Sequence, residues 1–63
     1  MKRYEVWACF PDGIKAKVES HASRKSARNA VDAMNIVIRH ELAEGYGFPH
    51  GVPNFVVEVV YCS

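Results

Sequence analysis

Cysteine, long apolar runs and an excess of one charge are all scarce in this chain, and each scarcity excludes something. Two cysteines, Cys9 and Cys62, are too few for the disulfide framework of a small secreted domain. Neither has a cysteine or histidine at a zinc-site spacing, so no metal and no cofactor is expected. No apolar stretch approaches the roughly 18 residues a membrane helix needs. The opening MKRYEVWACF also lacks the apolar segment of a secretory signal. A soluble, cytoplasmic chain with no membrane partner is the expectation.

Net charge is only +1, which argues against a uniformly basic nucleic-acid binder. The charge is unevenly placed, however. Residues 1–28 hold seven basic against three acidic side chains, and residues 29–63 hold one against four. The molecule should be electrically two-sided, as a basic contact patch or a head-to-tail self-association requires.

What is present is enough for a fold. Of the 63 residues, 49% are hydrophobic, ample for a core in a single domain over 1–63. Such a small domain buries only about 60% of the surface its unfolded chain exposes, so its stability is marginal.

The stretch RYEVWACF alternates. Tyr4, Val6, Ala8 and Phe10 share one face, and Arg3, Glu5, Trp7 and Cys9 the other, which is the period of a strand. IKAKVES repeats the pattern, with Ile14, Ala16 and Val18 against Lys15, Lys17 and Glu19. Between them, Pro11-Asp12-Gly13 suits a three-residue hairpin loop whose last residue is left-handed. The resulting hairpin, 3–20, pairs Phe10 with Ile14, Ala8 with Ala16 and Val6 with Val18, and sets Lys17 opposite Trp7.

From residue 23 to 44 the period changes to that of an amphipathic helix, with Ala27, Ala30, Val31, Met34, Val37, Ile38 and Leu42 on its apolar side. Ser23 suits the N-cap and Gly45 the position after the last turn. Strand 54–62 follows the loop 45–53, with Phe55, Val57, Val59 and Tyr61 facing inward. The fold class is α+β, a two-layer β-β-α-β sandwich. One helix packs on an antiparallel or mixed three-stranded sheet, and strand order 2-1-3 is favoured because the first strand has the most apolar face. The cysteines then lie at opposite ends of the sheet, as free thiols.

Three stretches are candidates for function. The loop GYGFPHGVP holds Tyr46 and His50, but its glycines follow no strand and form no phosphate-cradling G-x-G-x-x-G pattern. It reads as a cord in which Phe48 and Val52 close the core. The sheet's outer face carries Trp7 near its centre, with Cys9, Val56 and Val60 around it. Lys15, Lys17, Arg3, Glu5, Glu19 and Glu58 form the rim. A tryptophan ringed by charges on an open face describes a protein interface, though lysine stems lying over the indole would leave it merely wet.

The third stretch, Ser23, Arg24, Lys25 and Arg28, places cations in the first helical turn, while Glu41 and Glu44 sit in the last. Both ends oppose the helix dipole. An anion or nucleic-acid site, an antiparallel helix pair in a dimer, or a plain solvated face each accounts for this. Smaller exposed positions, Ala33 and Ile36, lie on the helix's outer side. His21, His40 and His50 share no catalytic spacing, and one helix on three strands seldom encloses a substrate pocket, so neither an enzyme nor a small-molecule substrate is expected.

The expectation is a non-enzymatic interaction module. It is an inhibitor, adaptor or regulator of a larger protein, of the kind phages and mobile elements encode. It binds a protein partner, itself included as a homodimer, through the Trp7 face. The alternative is a small nucleic-acid-binding regulator using Arg24 to Arg28.

Overall fold

In the computed structural model, which describes residues 1–62, the first strand alternates as its side chains dictate and takes the middle of the sheet. The elements run β1 (Lys2–Cys9), β2 (Lys15–His21), α1 (Arg24–Ala43) and β3 (Asn54–Tyr61). Strand order is β2-β1-β3, and both neighbours of β1 are antiparallel to it, so no hydrogen-bonded pair is parallel.

The turn chemistry acts as the sequence suggests. Gly13 takes φ +93°, its N–H donates to the Phe10 carbonyl at 3.0 Å, and the Phe10 N–H donates to the Ile14 carbonyl at 2.9 Å. The Asp12 carboxylate accepts from the Ile14 N–H at 3.1 Å and ties the loop to the strand.

From this turn the ladder runs Cys9 to Lys15, Ala8 to Ala16 and Trp7 to Lys17, and then it slips. A bulge places Val6 opposite Glu19 rather than Val18. Val18 is the extra residue and stays 45% exposed. Past the bulge the faces of β2 exchange. Glu19 and His21 lie on the helix side, and Glu19 leaves the outer rim where simple alternation puts it. On the other edge β3 pairs without interruption: Val57 with Val6, Phe55 with Ala8, Val59 with Tyr4. Met1 and Cys62 exchange backbone hydrogen bonds at the end of this ladder.

Helix α1 starts at Ser23, whose Oγ accepts from the Ser26 N–H at 3.2 Å. It ends in a Schellman closure: the Gly45 N–H donates to the Leu42 carbonyl at 3.1 Å, and the Tyr46 N–H to the Glu41 carbonyl at 2.9 Å. Its inner face covers β1 and β3, and there the core is small. Among the described residues only Val6, Ala8 and Ala27 are buried. The rest of the apolar stripe expected to form the core is half-buried or exposed, with Val37 at 53% and Leu42 at 44%.

The reason lies in the sheet. Ala8 and Ala16 stand opposite each other on the helix side, too short to fill the space beneath α1, and the bulge turns Val18 away. The Cα trace forms a slab of 43 × 23 × 11 Å, with a radius of gyration of 12.9 Å. A compact chain of this length has about 11 Å.

Candidate functional site

The outer face of the sheet is crossed by a lattice of charged side chains built around Trp7. The Trp7 Nε1–H donates to Glu5 Oε1 at 3.1 Å. Lys15 reaches from β2 across β1, its Nζ 5.1 Å from the centre of the indole and 3.1 Å from Glu58 Oε1. Lys17 Nζ lies 3.5 Å from Glu5 Oε2, and Arg3 Nε donates to Ser20 Oγ at 3.0 Å.

The register explains the arrangement. Glu5 and Glu58 are directly opposite across β1 and β3, a repulsive pair, and each takes a lysine from β2. The indole is half-buried, with its N–H satisfied and one side lined by an ammonium group. Val56, opposite Trp7, and Val60, opposite Arg3, are half-buried on the same face with Cys9. All seven residues expected at this surface, Trp7, Cys9, Lys15, Lys17, Val56, Glu58 and Val60, therefore share one uncovered face.

The basic helix start is split instead. The Arg24 guanidinium lies 5.4 Å from the Tyr4 ring centre. That tertiary contact offsets its unfavourable place in the first turn. Arg24 and Arg28 line a polar groove of about 400 Å³ between α1 and β3, together with Asp32 and Asn35. Lys25 does not line it, and the Ser23 hydroxyl is engaged as the cap. Two of the four residues expected at this site meet, and they meet beside a carboxylate.

Loop 45–53 packs on the hairpin tip. The ring of His50 stacks edge-on against Phe10 with centroids 6.3 Å apart, and its Nδ1 is 3.7 Å from Asp12 Oδ2. Tyr46 and Phe48 form a second edge-on pair at 4.8 Å. Val52, expected to close the core, is exposed, and of the loop's Tyr46, Phe48 and His50 only Phe48 is half-buried.

The histidines do not converge. His21 pairs with Glu19 and His40 with Glu44, each a near neighbour on its own stretch of chain, while His50 reaches Asp12 of the distant hairpin turn. Among the described residues no three His, Cys, Asp or Glu side chains come together as a metal site.

Sequence patterning alone passes over one further surface. An apolar groove of about 490 Å³ runs along the β2 side of α1, lined by Ala30, Ala33, Met34, Val37, Ile38 and Phe55, with Glu19 and Glu41 at its rim. Its trace in the sequence is faint: an alanine pair in the hairpin beneath a helix stripe wider than three strands can cover.

No helix among the described residues is long and apolar enough to cross a membrane. Comparison with protein-family models, curated proteins and solved structures finds no match to this chain.

Proposed function

We propose that this chain is a small non-enzymatic interaction module that binds another protein through the outer face of its sheet, as an inhibitor, adaptor or regulator. One observation carries the reading: Trp7 stands mid-face, uncovered by any element of its own chain, and is held in one orientation by Glu5 and Lys15. An aromatic anchor fixed before contact loses little conformational freedom on binding, and buried tryptophans dominate protein interfaces. The alternating lysine and glutamate lattice around it supplies register and partner choice. The dispersed histidines, each beside a different carboxylate, support a binding role over catalysis.

The test is a photo-crosslinking side chain in place of Lys17, used in cells. A single protein adduct that disappears when Trp7→Ala is added supports the reading, provided the far-ultraviolet circular dichroism of the double variant is unchanged. An adduct that survives Trp7→Ala overturns it.

A nucleic-acid reading rests on Arg24 and Arg28, which share the groove beside β3. Its mark is a salt-dependent affinity for DNA or RNA whose slope falls by about one for each arginine removed.

A further inference from the structure

We infer that the apolar groove between α1 and β2 is covered by a second copy of this chain, with the two α1 helices antiparallel across a two-fold axis. This surface is distinct from the Trp7 face, and the inference stands or falls separately from the reading above.

The groove is the least finished part of the molecule. It holds about 490 Å³, its floor and wall are Ala30, Ala33, Met34, Val37, Ile38 and Phe55, and Val37 is 53% exposed at its lip. Beside it β2 is an edge strand whose outward backbone groups have no partner strand among the described residues. Among the described residues only Val6, Ala8 and Ala27 are buried, so covering this flank would add substantially to a small apolar core. A stable interface takes about 800 Å² from each partner, which is within reach for a chain that exposes 4460 Å².

Charge selects a second copy as the occupant. Tyr4 pairs with His21, Arg24 lies over Tyr4 and Arg3 bonds Ser20, so Lys2, Arg3, His21, Arg24 and Lys25 gather at one end of the slab. Glu19 is the carboxylate beside His21 there, while Glu41, Glu44 and Asp12 outnumber Arg39 and Lys15 at the other end, formed by the helix terminus and the hairpin tip, so the two ends keep opposite net charge. A two-fold axis normal to the long dimension sets the basic end of each copy against the acidic end of the other.

Helix geometry gives the register. The centre of Arg24–Ala43 falls between Ala33 and Met34. An axis there puts Ala30 of one copy opposite Val37 of the other, small against large, at the close spacing that alanines allow. The same axis carries Glu44 to the start of the opposing helix, where free N–H groups favour a carboxylate. It thereby corrects the mismatch that each helix has with its own dipole.

Light scattering behind a sizing column at 100 µM is expected to give about twice the chain's 7.1 kDa. Val37→Glu should raise the dissociation constant at least tenfold, whereas Trp7→Ala should leave it within twofold. A monomeric wild type, or a Val37→Glu dimer of unchanged affinity, overturns the inference. So does dissociation by Trp7→Ala, which would move the interface to the sheet.

Should Val37→Glu fail to fold, cysteine crosslinking decides the matter, with Cys9 and Cys62 replaced by serine. Ala33→Cys, next to the axis, should be joined between copies by a short bismaleimide. Asp32→Cys, on the opposite flank beside β3, should not. Crosslinking at both positions or at neither overturns the inference.

Discussion

Gly51 and Gly13 share a left-handed backbone, φ +86° and +93°, but not the same surroundings. A Cβ on Gly51 would lie 2.7 Å from Cγ of Pro11, a ring atom with little freedom to move, while one on Gly13 would meet nothing within 4 Å. Gly13→Ala therefore carries only backbone strain, about 1 kcal/mol. Gly51→Ala adds the clash and should cost roughly 2–3 kcal/mol. Urea denaturation of the two variants checks the difference, and equal losses would mean that loop 45–53 does not rest on the hairpin tip. Ser23→Ala removes the acceptor for the Ser26 N–H and should cost about 1 kcal/mol. Both the Gly13 turn and the Ser23 cap are legible in the sequence, because each depends on residues adjacent in the chain. The Gly51–Pro11 contact spans forty positions and has no local mark.

Strand β2 is where element-level reading and structure part. Alternation assigns Val18 to the core, yet the bulge leaves it exposed and sends Glu19 to the helix side. Alternation is a rule about one chain's pleat. A bulge depends on two strands, and here no glycine or proline announces it. The stability consequence is direct. Val18→Thr should change unfolding free energy by no more than about 0.5 kcal/mol. Val6→Ala, at a residue with no exposed surface, should cost about 2–3 kcal/mol. A loss above 1 kcal/mol for Val18→Thr in urea titration would restore the unbulged register. The helix shows the converse case. Its stripe and both ends follow from sequence spacing, but how much of that stripe is covered depends on the bulk beneath it, and two facing alanines supply little.

At the scale of the whole molecule, the thin slab separates groups that a compact ball would bring near. Cys9 pairs with Asn54 and Cys62 with Met1, eight residues apart along the ladder, or about 27 Å. Both thiols are free, so mild oxidation should form no bridge within a chain, and mass spectrometry after alkylation should find two labels per chain. If two copies complete each other, folding and association are linked by mass action. The melting temperature should then climb by roughly 5–10 °C over a hundredfold rise in concentration. A concentration-independent melt would indicate that three buried residues and the partly covered stripe suffice for the monomer.

Strand and helix positions, the hairpin loop, both helix caps and the order of the sheet were all readable from the amino acids, since period and turn chemistry act over a few neighbouring residues. The same holds for the grouping of Trp7, Cys9, Lys15, Lys17, Val56, Glu58 and Val60, because alternation assigns a face wherever no bulge intervenes. The slip at Val18, the separation of Lys25 from Arg24 and Arg28, the seat of Gly51 on Pro11 and the open groove beside α1 came from the folded chain. Each depends on how much volume and charge distant segments bring to one place, and that sum is made only when strands and helix are packed together.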